Sequence, residues 1–560
     1  MSPEFPGNGF RAFVDRLVPS TSILLQTIGV SLFLYTLHFG FRLGRFIVAS
    51  INSPKRDIPG PPWKHWLTGS FGKGVWEPDA LQDHERWMQE YGPIYKYYSM
   101  FSSTTIFLGD TKAVNHVLTR SHEFPKPEEL RDALGEFLGQ GLLFVEGPQH
   151  KQQRKVMGPA FGLPQIREFT NIFFQKSLEA QISHSGSHGR LEIDAFSWMN
   201  KVTLDIIGLA GFNYAFNSIR ETKPHEMSEG IRVATDLNPF SLSFILPIIF
   251  PVAKIIPTKR DRAMKETLRL VSSIGTQVIA DRKAEILASA EVDAKGGVEK
   301  RKIQGNDLLS LLVKANMASD IPESARLKDK DILAQVPTFL IAGHETTSTS
   351  LSWALVALSS APAVRTKLAA EIRAHPSDTP TMEELNAIPY LDNVVREVLR
   401  LYAPVNNTER VADVDAVIPL SKPFLDKHGV LQHELRVKKR SRFLIPIRAI
   451  NRSTELWGED ACQFRPERWD NLPESASSVP SVYSNMLTFI AGPHACIGYR
   501  FSVIETKAIL FTFIRSFDFE LAVNPEEIER KTVIVGRPVL ASDREAGPQL
   551  PLYISPARRD

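Results

Sequence analysis

The chain has 560 residues, 43% of them hydrophobic, and 66 Lys and Arg against 63 Asp and Glu give a formal net charge of +3. So balanced a charge gives no reason to expect nucleic-acid binding, which usually needs a concentrated basic face. The only two cysteines, Cys462 and Cys496, exclude a secreted disulfide framework, and no histidine cluster stands at structural-zinc spacing, so the composition points to a reducing compartment.

No charged residue occurs between Arg16 and Arg42, and Ile23 to Leu37 reads ILLQTIGVSLFLYTL. A helix of about 20 mostly apolar residues crosses the hydrocarbon core. We therefore expect a transmembrane anchor over residues 21–41, preceded by a short lumenal N-terminus over 1–20. A cleaved signal peptide would have a shorter apolar core and a small-residue cleavage site. A buried core helix is the other alternative. Arg42, Arg45, Lys55 and Arg56 follow the segment before the first acid, Asp57, whereas Arg11 and Arg16 are offset by Glu4 and Asp15. That excess places the C-terminal side in the cytosol. Ile58 to Pro62, IPGPP, stops a helix because proline fixes its own dihedral and lacks a donor. Residues 42–62 read as a basic, Pro-rich hinge, and residues 63–560 as one large body without internal repeats.

Within that body, strand-like alternation appears in PIYKYYSM (Pro93 to Met100) and STTIFLG (Ser103 to Gly109). Helical periodicity then dominates as far as Tyr402, so the expected class is mainly α with small β-sheets. EVDAKGGVEKR (Glu291 to Arg301) and the Ser- and Pro-rich stretch Leu472 to Ser484 read as surface loops. PFSLSFILPIIFPVAKIIP (Pro239 to Pro257) is very apolar. Pro247, Pro251 and Lys254 oppose a second membrane span. The expected role is to line a substrate entrance at the membrane surface, with a buried core loop as the alternative.

Three motifs carry chemistry. The first is Phe489-Ile-Ala-Gly492-Pro-His494-Ala-Cys496-Ile-Gly498. A thiolate that ligates haem iron needs backbone wrapped closely round its sulfur, and Gly492 and Gly498 permit that approach. Helical pattern resumes at Tyr499, so Cys496 should sit just before a helix, where the dipole favours a thiolate. From this segment alone, a plain buried cysteine remains open. The second motif is Glu397-Val-Leu-Arg400, whose charges share one helix face. Its apolar flanks suggest burial, and a buried pair needs further partners. Arg468, in Phe464-Arg-Pro-Glu-Arg-Trp469, can be the third charge. The third motif is Ala342-Gly343-His344-Glu345-Thr346-Thr347, inside a helical stretch from about Asp329 to Ser359. Gly343 and the polar cluster interrupt an apolar helix, as happens where a ligand meets one. Glu345 beside Thr346 can relay protons. The alternative is a Thr-rich helix with back-bonding hydroxyls.

In this order and spacing the three motifs resemble the cytochrome P-450 family of haem-thiolate monooxygenases, in its microsomal, fungal-type form. The similarity runs from the anchor to the chain end. It implies the family's fold, with residues 63–560 as the catalytic domain, and haem b as cofactor with Cys496 as axial ligand of the iron. Such a thiolate favours O–O cleavage. It implies Glu345 and Thr346 as the oxygen-activation pair, and Glu397, Arg400 and Arg468 as the charge cluster that holds the cysteine loop. Phe489 would pack beside the haem, and Arg154, His150, Arg410 and His494 would meet its propionates. His150 stands where the family usually has Trp, His494 where it has Arg, and Ile490 where it often has Gly. Cys462 lies outside the motif and reads as a structural residue.

The resemblance further implies electrons from NADPH through NADPH–cytochrome P-450 reductase, with cytochrome b5 as a second donor, docking near Lys151, Lys155 and Arg500. It implies a hydrophobic substrate, with Val405 to Thr408, Phe137 to Phe144 and Pro239 to Phe250 facing it, and Asn406 and Asn407 meeting a polar substituent. The expected setting is the endoplasmic reticulum membrane, single-pass, with the catalytic domain cytosolic. Terpenoid, polyketide, fatty acyl or sterol substrates all suit the chemistry, and the fungal-type motifs favour specialised metabolism. A haem isomerase or dehydratase is opposed by Glu345 and Thr346. A non-enzymatic membrane or scaffolding protein is opposed by Cys496 and by Glu397 with Arg400.

Overall fold

The computed structural model describes residues 54–65, 68–71, 81–99, 103–182, 189–221, 230, 258–289, 307–317, 326–532 and 534–557, with nine positions between 26 and 41. The chain divides into two units, Met1–Ile58 and Pro59–Asp560. In the first, the described positions of the expected anchor are helical, and Val30, Phe33, Tyr35, Leu37 and Phe41 are exposed. No helix among the described residues is long and apolar enough to cross a membrane, and most of the anchor segment lies outside them. The apolar stretch 239–257 and the loop 291–301 also lie outside the described residues.

In the second unit, the two alternating stretches form a hairpin, β1 (Ile94–Tyr98) and β2 (Thr104–Leu108). Tyr95 pairs across it with Phe107, and their rings stack at 4.4 Å. Aromatic cross-strand pairs of this kind fix register. Strands β4 (Thr408–Val411) and β7 (Arg442–Ile445) complete a four-stranded sheet ordered β1-β2-β7-β4, in which β2 and β7 run parallel. A long hairpin, β5 (Ala416–Leu425) with β6 (Leu431–Val437), lies between them in sequence. Strands β3 (Leu191–Asp194), β8 (Phe517–Leu521) and β11 (Pro551–Pro556) make a three-stranded sheet, and β9 (Ile528–Thr532) pairs with β10 (Gly536–Leu540). The class is as expected, mainly helical with small sheets.

The helices that frame the site are α1 (Gly147–Met157), α2 (Leu163–Ile182), α3 (Ala195–Phe212), α4 (Gln335–Ser360), α5 (Pro389–Leu401) and α6 (Tyr499–Ser516). Helix α4 is buried along nearly its whole length, the mark of a central helix. It is shorter at its start than the sequence suggested, because Asp329–Leu333 is a separate helix joined to it at Ala334. Gly343 has a packing reason: a Cβ there would stand 3.0 Å from Ile207 of α3. The stretch 472–484 is not simply a surface loop. It holds a 3-10 turn, Glu474–Ser478, that buries Ala476, and Val479 is buried beyond it.

Candidate functional site

The cysteine segment closes on itself through three backbone hydrogen bonds. Cys496 N donates to Phe489 O at 3.0 Å, Ala495 N to Gly492 O at 3.0 Å, and Ile490 N to Leu487 O at 2.8 Å. Gly492 has φ +74°, and a Cβ there would lie 2.5 Å from Leu118 O, so the loop's approach to the helix Thr111–Thr119 demands glycine. Ile490, in contrast, carries a β-branched side chain at φ +46°, ψ −168°, a region that costs a non-glycine about 1–3 kcal/mol. The sequence departure at this position therefore has a structural counterpart. Phe489 is buried, with its ring edge-on to Tyr483.

Cys496 is exposed, although protein surrounds it. These facts agree for a side chain at the wall of a concavity, where water reaches the sulfur but the nearby protein removes most bulk solvent. That surrounding mass pushes the free thiol above its usual value, while the Gly498 N–H and the Arg154 charge pull the other way without prevailing. The dipole argument gave the right position, just ahead of α6, but burial outweighs it in the free thiol. A metal ion displaces that proton.

Glu397 and Arg400 are both fully buried and pair in a bidentate fork, Nε to Oε2 at 2.9 Å and Nη2 to Oε1 at 2.8 Å. The carboxylate also accepts from Arg465 N at 3.1 Å, Trp469 Nε1 at 3.1 Å and Arg468 Nε at 3.4 Å. Arg468 is balanced in turn by Asp460. Asp460 also pairs with the half-exposed Arg465 guanidinium, so both carboxylates and both buried guanidiniums have opposite charges beside them, as buried charges require. Arg400 Nη1 also donates to Asn451 O and Ala461 O, both at 2.7 Å. Asn451 Oδ1 accepts from Leu487 N at 2.8 Å, and its Nδ2 donates to Thr488 Oγ1 at 2.8 Å. The cluster is thereby tied to the turn that opens the cysteine loop. Sequence reasoning found the three charges and missed Asn451 and Asp460.

A second polar cluster borders the loop. Arg154 on α1 donates to Ala495 O, next to the cysteine. His150, one turn earlier, stacks on His494 with ring centroids 3.9 Å apart. His494 Nε2 lies 2.9 Å from Glu146 Oε2, and Lys126 Nζ lies 2.7 Å from Glu146 Oε1 and 3.3 Å from His494 Nδ1. Burial alone would push the Glu146 carboxyl up, but His494 and Lys126 bring it down to about 2. The same burial draws Lys126 and His494 below their usual values, and brings His150 down to about 3. Arg410 is buried, with its Nη1 on Thr408 Oγ1 at 2.8 Å, and burial draws it down to about 10. Lys126 and Glu146 were not singled out from sequence, since neither belongs to a spaced motif.

On α4, positions 335–358 are buried except for Ala342, Gly343 and Thr346. These lie on one face, one turn apart, and form an accessible window in a buried helix. Thr346 Oγ1 donates to Ala342 O at 2.8 Å, so the back-bonding alternative is realised within the window itself. Glu345 is turned into the protein, where Arg537 of β10 donates to its Oε2 from Nε at 3.0 Å and from Nη2 at 2.7 Å. Thr347 Oγ1 lies 3.1 Å from Ser502 Oγ of α6. Arg537 was not foreseen.

The remaining expectations separate. Asn406 is buried, and its Nδ2 donates to Thr532 Oγ1 at 2.9 Å, so it ties its segment to the end of β9, whereas Asn407 and Val405 are half-buried. Cys462 is exposed rather than packed, with Sγ 3.9 Å from Arg452 O. Lys151, Lys155 and Arg500 are exposed.

A sequence profile described as cytochrome P450 matches residues 59–542. Cytochrome P450 monooxygenase 205 of Postia placenta is 47% identical over 519 residues, which cover 91% of this chain and 94% of that protein. Cytochrome P450 monooxygenase 128 of the same fungus is 44% identical, covering 92% and 95%. Cytochrome P450 monooxygenase claW of Ampulloclitocybe clavipes is 34% identical, covering 90% and 93%. The chain belongs to the cytochrome P450 family and is a haem b monooxygenase that uses dioxygen and electrons derived from NADPH.

Proposed function

We propose that Cys496 would hold the haem iron through its thiolate, that Glu345 and Thr346 hold and move protons on the α4 side of the site, and that Arg154, Arg410, His150 and His494 would receive the propionates. The observation that carries this reading is the pair of accessible features in a buried interior: Cys496 in its closed loop and the window of Ala342, Gly343 and Thr346 on α4. The donor set fits haem b. A cysteine sulfur suits iron. Lys126, Arg154 and Arg410 against Glu146 leave two positive charges in excess, three minus one, which matches two propionates.

Haem, when bound, supplies the oxygen-activating iron centre. The chain's own residues prepare the surroundings. The Glu397 cluster, acting through Asn451, fixes the turn from which the cysteine loop starts. Gly492 lets that loop lie against Leu118. Ala342 keeps the window free of a bulky side chain, and Gly343 lets α4 lie against Ile207 of α3. Thr346 offers a hydroxyl whose proton rests on Ala342 O and can turn towards a new acceptor.

We further place the enzyme in the endoplasmic reticulum membrane, with residues 21–41 as anchor and the catalytic domain cytosolic. The exposed apolar side chains of Val30, Phe33, Leu37 and Phe41 support this. NADPH–cytochrome P450 reductase is the proposed donor, with cytochrome b5 as an auxiliary. The proposed substrate is a hydrophobic specialised metabolite of terpenoid character, with fatty acids or sterols as the alternative. Expression with the reductase, followed by product profiling against these classes, tests the reading. NADPH-dependent products with one added oxygen are expected. Isomerised or dehydrated products without NADPH consumption would contradict it.

A further inference from the structure

Gln335, the first residue of α4, is fully buried, and both ends of its amide are used. Nε2 donates to Gln153 Oε1 of α1 at 3.1 Å and to Asp331 O at 2.9 Å, and Oε1 accepts from Leu142 N at 2.9 Å. Nearly one turn on, Thr338 Oγ1 donates to Leu138 O at 2.9 Å. These two side chains hold the segment 138–145 flush against the helix. A Cβ at Gly141 would press on Thr338 Oγ1 and stand 2.6 Å from Ala334 O, and one at Gly139, where φ is +74°, would stand 2.8 Å from the Pro337 ring. Only glycine permits so close an approach. The segment then turns back on itself, with Phe144 N donating to Gly141 O at 3.0 Å. Leu142 and Val145 are buried, Phe144 is half-buried and Leu143 is exposed. Thr338, Ala342 and Thr346 recur at every fourth residue of α4, and Gln335 stands seven before Ala342. All four therefore share one stripe of the helix. The segment is clamped about 5 Å, one turn, ahead of the accessible window of Ala342, Gly343 and Thr346.

We infer that Gln335 is a positioning residue that limits the size of molecule admitted beside the window, by holding the segment 138–145 against the face of α4 that carries it. The inference rests on the proposed haem site at Cys496 and this window. Gln153 fixes the Gln335 amide from α1, so that its carbonyl oxygen stays turned to Leu142 N. Thr338 is the second anchor, at the point where the helix Glu128–Leu138 ends and the segment begins. With the Gln335 amide gone, Leu142 N loses its acceptor, and release of the segment from α4 becomes easier by about tenfold, the factor that one net hydrogen bond supplies. A released segment widens the approach to the window, which a small ligand does not need and a bulky one does.

The test uses the haem-loaded full chain with Gln335→Met, which keeps the volume and drops the amide, and Thr338→Val, which keeps the shape and drops the hydroxyl. Two iron-binding azoles serve as probes, imidazole as the small one and miconazole as the bulky one. Each is followed by stopped flow through its shift of the haem absorption band. In Gln335→Met the association rate of miconazole should rise about tenfold, while that of imidazole stays as in the wild type. Thr338→Val should move the ratio of the two rates in the same direction. A role in general stability alone would move both azoles together. An unchanged ratio in Gln335→Met overturns the inference and leaves the proposed haem site standing. Should that variant take up no haem, the ratio in Thr338→Val decides in its place. No band shift with imidazole in the wild type would overturn the proposed site itself.

Discussion

Arg400 donates from Nη1 to the main-chain carbonyl of Asn451 across 2.7 Å. Through the side chain of Asn451, the buried Glu397 cluster reaches Leu487 and Thr488, where the cysteine loop begins. A motif 96 residues before Cys496, counted from Arg400, thereby reaches the start of the cysteine loop through one intermediate residue, Asn451.

Asn451→Leu strands Leu487 N without its acceptor. An unsatisfied buried group costs about 1–3 kcal/mol, concentrated at the loop. We expect a lower melting temperature and loss of haem on gel filtration, whereas Asn451→Asp, which keeps Oδ1 for Leu487 N, should retain more of both. Full haem content in the leucine variant would break this link.

Removing one member of the buried cluster itself should be harsher. Arg468→Met leaves Glu397 and Asp460 with reduced pairing, and breaking a buried pair costs about 3–5 kcal/mol. Little soluble, haem-containing protein is expected. A yield and melting temperature like the wild type would show that the pairing in this cluster is dispensable.

Ile490 offers the opposite sign. At its positive φ, a Cβ is strained whatever the side chain, so Ile490→Ala loses packing and keeps the strain, whereas Ile490→Gly releases it. The glycine variant should exceed the alanine variant by about 1 kcal/mol in denaturant unfolding. Equal stability of the two would show that the loop relaxes around Ile490 without strain.

The legible parts of this molecule were local. Gly492 could be read because a positive φ beside a close contact admits one residue type, and Glu397 with Arg400 because a spacing of three shares a helix face. The two strands that carry Tyr95 and Phe107 followed from alternation, whereas their pairing did not. Arg537 was not legible because its partner, Glu345, lies 192 residues away and neither sits at a periodic position that names the other. Lys126 and Glu146 are 20 positions apart, with the helix Glu128–Leu138 between them, and look like ordinary surface charges until the fold buries them. Asn406 shows the same limit: its Nδ2 donates to Thr532 of β9, 126 positions away and not named by its own neighbourhood, while its buried Oδ1 has no hydrogen-bond partner among the described residues.

Glu505 on α6 gives a pH signature. Its carboxyl is fully buried, neither oxygen has a hydrogen-bond partner among the described residues, and Thr347 is a nearby polar group. Burial raises its folded value well above the ordinary one. The folded state therefore binds the proton more tightly than the unfolded chain, and stability is lost as pH rises from the ordinary carboxyl range through the raised value. Glu505→Gln removes that loss. Its melting temperature relative to wild type should climb as pH rises, and a difference constant with pH would refute the burial argument.

The most direct test of the central claim is the carbon monoxide difference spectrum of the reduced, haem-loaded chain. Wild type and Cys462→Ala should both give the thiolate-type band, since Cys462 is exposed and away from the loop. Cys496→Ala should lose that band and all NADPH-dependent product. A thiolate-type band that survives Cys496→Ala, or that disappears in Cys462→Ala, would contradict the assignment of Cys496 as the haem ligand.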